Sequence, residues 1–214
     1  MNGIIKIVEN NRYEGLGRLN EAYNDAHLEN LIKAVLQVDD TYYYYSLHHR
    51  NGPSQMQEQL ERVFAYELYY HWSVLLKEYN DIQDTVNKRV INGEAGKKLD
   101  GFSVYPDMIL HKGQEDWHHQ EIAVEIKRKI SLSEDNLLND LEKLSDLLEQ
   151  GKLANGATPF KYGVFILTGG EEKDLIPLLR KEDVESINDN IICIFCSKKG
   201  ELKYKSMDEI KGML

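Results

Sequence analysis

Three residues in the middle of this chain have the types and spacing to work on a phosphate: Asp107, directly after Pro106, and Glu125 and Lys127, which begin eighteen residues further on. The polar run between them, residues 112–118, reads as a turn. If the flanking segments form an antiparallel hairpin centred near residue 115, Asp107 and Glu125 come nearly opposite one another. Directly opposed side chains stand roughly 4.5–5.5 Å apart, close enough for two carboxylates to share one cation. Strand alternation gives the same answer: Ala123, Glu125, Lys127 and Lys129 address one face, and Ile122, Val124 and Ile126 the other. Two carboxylates this close repel unless one is protonated or a cation lies between them, and hard oxygen ligands suit Mg²⁺ or Mn²⁺. Lys127 brings an ammonium to the same place. A cation there would polarise a phosphoryl oxygen and acidify water, while the lysine orients that water or offsets developing charge.

The elements that must position this trio can be read from periodicity. Residues 18–38 carry apolar groups at helical spacing (Leu19, Tyr23, Leu28, Leu31, Ile32, Val35, Leu36) and lead into Tyr42 to Tyr45, a run that could stack on bases but more often packs a lid or an oligomer contact. Residues 1–52 are therefore expected to form a helical N-terminal extension. After Asn51-Gly52-Pro53, Ser54 with Gln57 marks the start of a long helix to about residue 79. Leu60, Phe64, Leu68, His71 and Leu75 share one of its arcs, and Glu67 lies inside that arc. Extended segments are expected over 85–91, 101–111 and 119–130, then a leucine-striped helix over 133–150 capped by Ser133. A buried strand over 162–168, a helix over 173–187, a strand over 191–197 and a short edge strand over 202–205 complete the chain. Helix, three strands, helix, strand implies an α/β fold with a mixed central sheet flanked by helices.

Pro106-Asp107 followed by Glu125-Ile126-Lys127, in that order of elements, resembles the motif of the PD-(D/E)xK, or restriction-endonuclease-like, superfamily. The resemblance spans roughly residues 55–168 and implies an αβββαβ core within a nuclease-like domain over 53–214, with the Asp on the second strand and the E-x-K on the third. It further implies that Asp107 and Glu125 bind metal, that the Ile126 carbonyl completes the shell, and that Lys127 serves the nucleophilic water. Many members add a Glu from the first helix, and Glu67 is the residue that matches. Pairing with His71 one turn along is the other reading of Glu67. Only Glu125-Ile-Lys127 has this context, because Glu171-Glu-Lys173, Glu201-Leu-Lys203 and Glu209-Ile-Lys211 do not close an apolar strand after a Pro-Asp strand.

The expected function is metal-dependent hydrolysis of nucleic-acid phosphodiesters, DNA foremost, with Mg²⁺ or Mn²⁺ as cofactor. The alternative is an inactive nuclease-fold binding or scaffold protein. The formal charge of −10 argues against nonspecific coating of nucleic acid. Residues 86–129 nevertheless hold eight Lys/Arg against seven Asp/Glu, a net of +1 that leaves −11 for the rest. No run approaches the roughly 18 apolar residues needed to span a bilayer, and the first thirteen residues lack a secretory layout, so the expected location is the cytoplasm. A homodimer is compatible with cutting two strands. The two cysteines, Cys193 and Cys196, read as buried strand thiols, and the pairs His48-His49 and His118-His119 as solvated turn residues. Glu94, beside Lys97 and Lys98, reads as a solvated loop residue.

Overall fold

The computed structural model describes residues 3–8, 12–44, 53–82, 88–93, 106–112, 119–149 and 158–214, with backbone alone at Tyr44 and over 53–60. The turn at 113–118, Tyr45, His48-His49, Glu94 and Lys97-Lys98 lie outside the described residues.

Strand β1 (Gly3–Val8) alternates Ile5 inward with the exposed Ile4, and β2 (Arg12–Glu14) folds back along it. These two strands lie in the stretch expected to be a helical extension. Helix α1 (Leu16–Tyr23) follows, then α2 (Ala26–Gln37). The single helix expected over 18–38 is thus two, because Asn24 adopts a left-handed conformation (φ 46°) and Asp25 restarts the helix by accepting from the backbone N–H groups of His27 at 2.8 Å and Leu28 at 3.1 Å. Short α3 (Asp40–Tyr44) leads toward α4 (Pro53–Asp81), whose Phe64, Leu68, Trp72 and Leu76 form its buried stripe.

Strands β3 (Arg89–Gly93), β4 (Met108–Lys112) and β5 (Gln120–Arg128) are the antiparallel meander read from the sequence. Helix α5 (Glu134–Leu148), N-capped by Ser133, crosses over to β6 (Tyr162–Thr168), which runs parallel to β5. The helix expected over 173–187 is broken into α6 (Glu172–Leu175), a 3₁₀ turn through Pro177, and α7 (Lys181–Val184), as a proline lacking its N–H requires. Strand β7 (Ile191–Lys198) is parallel to β6, β8 (Glu201–Ser206) returns antiparallel, and α8 (Met207–Lys211) closes the described chain.

The eight strands form one mixed sheet in the order β2-β1-β8-β7-β6-β5-β4-β3. One face packs on α1 to α4 through Ile5, Ile122, Val124, Ile126, Val164, Ile166 and Ile194, and the other on α5 to α8 through Ala123, Phe165, Leu167, Cys193 and Phe195. Gly163 on β6 lets α5 come close, since a Cβ there would sit 3.2–3.3 Å from Ile191, Leu144 and Leu148. Cys193 and Cys196 are free buried thiols, both pushed up to about 12 by burial. Among the described residues no helix is long and apolar enough to cross a membrane.

Gly15 joins the β1–β2 ribbon to α1 at φ 85°, and a Cβ on it would stand 2.2 Å from the Ile4 carbonyl oxygen. Gly17, two residues on, lies on α1 with open space around it, and a Cβ there would meet nothing within 4 Å. Gly15→Ala is expected to destabilise the protein by at least about 1–2 kcal/mol, while Gly17→Ala stabilises it by roughly 0.5–1 kcal/mol. The denaturant midpoints of the two variants check this.

Candidate active site

The polar cluster lies where β5 ends under α5, and strand pairing builds it. The β4–β5 ladder matches Met108 with Val124 and Ile109 with Ala123, so one step beyond the ladder Asp107 stands beside Glu125. The Asp107 Oδ2 accepts the Ile126 backbone N–H at 2.7 Å, which ties the residue before β4 to β5. In an antiparallel pair a residue's N–H and C=O address the same neighbour, so the Ile126 carbonyl is turned to the Asp107 side as well. Glu125 and Lys127 face α5, whereas Ile122, Val124 and Ile126 enter the core against α2 and α4.

Helix α5 contributes two groups that the motif did not name. Asp140, 4% exposed, stands 2.9 Å from Lys127 Nζ through its Oδ2 and 2.6 Å from Lys143 Nζ through its Oδ1. Lys143 also donates to Glu125 Oε1 at 3.0 Å. The signal for Asp140 was available: at 100° per residue it falls within the leucine arc of α5, about 60° from Leu137. That is the same criterion that singled out Glu67. Lys143 sits at the edge of the arc, where only the tertiary structure shows which way its stem turns.

Helix α4 supplies a carboxylate from a different position than the one matched by motif. Glu67 is half-buried with its Oε1 3.1 Å from His71 Nε2, so the structure pairs those two along the helix and does not bring Glu67 to Asp107 and Glu125. Glu61 is the α4 carboxylate whose charge reaches Asp107 and Lys127. Its Oε1 accepts from the Ser131 hydroxyl and from the Arg128 backbone N–H at 3.4 Å, which holds it at the end of β5. Six residues along a helix turn the side chain by about 240° and carry it about 9 Å along the axis, which sets Glu67 on a different side of α4 from Glu61. The guanidinium of Arg128 turns away from the cluster and donates to the Tyr43 carbonyl at 2.7 Å.

Asp107, Glu125, Asp140 and Glu61 thus share the neighbourhood with Lys127 and Lys143. Burial pushes Glu125 up to about 9, and the charges of Asp107 and Asp140 add to it against the pull of Lys143. Burial also raises Asp107, opposed by the Ile126 N–H and by Lys127. For Lys127 and Lys143 burial alone would lower the pKa, but Asp140 holds Lys127 above its usual value, and Glu125 with Asp140 does the same for Lys143. Carboxyl groups outnumber ammonium groups here, which favours the charged form of both lysines and the protonated form of Glu125.

Hard oxygens from Asp107, Glu125 and the Ile126 carbonyl are of the right chemistry for Mg²⁺ or Mn²⁺. Among the described residues no group of three or more His, Cys, Asp or Glu converges to hold a metal. Outside this cluster, His119 directly precedes β5, and His118 falls outside the described residues.

Comparison with known proteins places the chain beside none of them: no family model, no curated protein and no solved structure matches it.

Because Glu125 is raised to about 9, this group favours holding a proton in the folded protein that it gives up in the unfolded chain between about pH 4.5 and 9. Stability from this group is full below that window and is lost as pH rises through it, with a slope of up to about 1.4 kcal/mol per pH unit. Glu125→Gln mimics the protonated form and lacks that slope. In EDTA, its melting temperature is expected to gain on the wild type between pH 6 and pH 9, by parallel thermal melts.

Proposed function

We propose that this protein is a metal-dependent nuclease that hydrolyses phosphodiester bonds of nucleic acid, with DNA as the substrate class and a restriction-endonuclease-like core. One observation carries the reading: Asp107 beside Glu125 across the β4–β5 pair, with Lys127 next on the same face of β5. Asp107, Glu125 and the Ile126 carbonyl would hold Mg²⁺ or Mn²⁺, which when bound supplies polarisation of the scissile phosphate and acidifies water. The chain's own residues do the rest. Lys127, held 2.9 Å from Asp140, keeps its charge and orients a water toward phosphorus, while Asp107 fixes the approach of the two strands through the Ile126 N–H. Glu61 adds negative charge at the α4 side of the site. Cutting both strands of a duplex calls for two such centres, so a homodimer belongs to the proposal.

A second reading has an observation of its own. Lys127 and Lys143 already stand within 3.0 Å of Glu125 and Asp140, so the carboxyl groups of the cluster have their partners within this chain. A nuclease-fold scaffold that binds without turnover would need nothing more, and a net charge of −10 sits easily with it.

Cleavage assays separate the two. Purified protein with Mg²⁺ or Mn²⁺ is expected to cut at least one of single-stranded, double-stranded or branched DNA. Asp107→Ala and Lys127→Ala are each expected to lower the rate by about 100-fold or more, the usual cost of losing one such group. Equal background from all three proteins removes the enzyme.

A further inference from the structure

Lys143 is the member of the cluster that can leave it. Its ammonium lies 3.0 Å from Glu125 Oε1 and 2.6 Å from Asp140 Oδ1, bridging two carboxylates whose side chains are only 4% and 5% exposed. Its own side chain is 32% exposed. On the solvent side it lines an open depression of about 510 Å³ along the surface of α5, together with Asn136, Asn139, Asp140, Glu142 and Asp146. The stem of a lysine is flexible, with a compact charge that water solvates strongly, so the ammonium can exchange one acidic neighbourhood for another at low cost. Lys127 is less free, with a side chain 18% exposed and a position on the strand itself.

We propose that Lys143 is an internal counter-cation of the site: its ammonium takes the place beside Glu125 that a divalent ion would occupy, and it swings out over the open surface of α5 when the ion binds. The inference rests on the metal-dependent reading above. It accounts for two features together. The carboxylates of Asp107, Glu125 and Asp140 share a neighbourhood, yet among the described residues no three acidic groups converge, because an ammonium is interleaved between Glu125 and Asp140. Once Lys143 departs, Asp140 keeps Lys127 as its partner, so Asp140 serves as a positioning residue for Lys127 in both states. The device makes the acidic corner stable before metal arrives and sets a threshold concentration for loading, since the ion must displace a tethered competitor.

Mn²⁺ titration followed by electron paramagnetic resonance of the free ion, on the full chain, reads the affinity directly. Lys143→Met removes the competitor and keeps the length of the stem, and is expected to bind Mn²⁺ about tenfold more tightly than wild type. Asp107→Asn is expected to lose binding. A second measurement does not depend on the Met variant folding: reductive methylation of Lys143 in the wild type, read by mass spectrometry, is expected to rise at saturating Mn²⁺ and to stay unchanged in Asp107→Asn. If wild type binds Mn²⁺ through Asp107 while methylation of Lys143 does not change, or if Lys143→Met binds no more tightly, the counter-cation is overturned and the metal site stands. If Mn²⁺ exposes Lys143 yet no DNA is cut, the counter-cation stands and the nuclease does not. Absence of Mn²⁺ binding in wild type and Lys143→Met alike overturns both.

Discussion

A carboxyl group buried in the middle of a sheet is the constraint around which this corner of the molecule is arranged. Glu125 is 3% exposed, with β4 on one side and β6 on the other and α5 above it. A buried charge without partners is strongly unfavourable, so the surrounding chain must supply countercharge, a proton or an ion. It supplies the first two here. Lys143 reaches down from α5, Asp140 ties Lys143 to Lys127, and burial together with neighbouring carboxylates favours the protonated form of Glu125.

The two faces of β5 divide the work. Ile122, Val124 and Ile126 enter the core under α2 and α4 and hold the strand by apolar burial. Ala123, Glu125 and Lys127 face α5, where the small Ala123 and, one strand over, Gly163 leave room for the helix to lie close. That close approach brings Asp140 and Lys143 within 3.0 Å of the strand's charged groups. At the other edge of β5, the Asp107 carboxylate accepting from the Ile126 N–H closes the entry to β4. Packing and electrostatics therefore pull the same elements into place, an agreement between levels expected of a well-specified site.

The proposed chemistry and the stability of the fold draw on the same atoms. A site rich in carboxylates is a liability until something positive enters it, and two lysines make the folded state tolerable without an ion. The acidity of the chain as a whole bears on substrate rather than on the cluster. With a formal charge of −10, long-range attraction cannot gather a polyanion over the whole surface, so the proposed action on nucleic acid would have to rely on local contacts.

Periodicity and spacing in the sequence determined a good deal: the β3–β4–β5 meander, the α5 crossover, the buried β6 and β7, and the juxtaposition of Asp107, Glu125 and Lys127. Alternation fixes which side chains share a face, whereas the register that sets Asp107 against Glu125 also depends on a bulge between Leu110 and His111 that periodicity does not show. The break at Asn24–Asp25 and the disruption at Pro177 were also written locally, in a left-handed residue with a capping aspartate and in a proline. The tertiary structure alone decided that the β1–β2 ribbon joins the sheet's far edge, because the partner of β1, β8, lies nearly two hundred residues away. It alone decided that Glu61 rather than Glu67 faces the strand end, and that Lys143 closes over Glu125. A helix's own periodicity says which residues share an arc, but the rotation of α4 and α5 against the sheet sets which carboxylate or ammonium meets the strand, and that rotation is fixed by packing between elements distant in the chain.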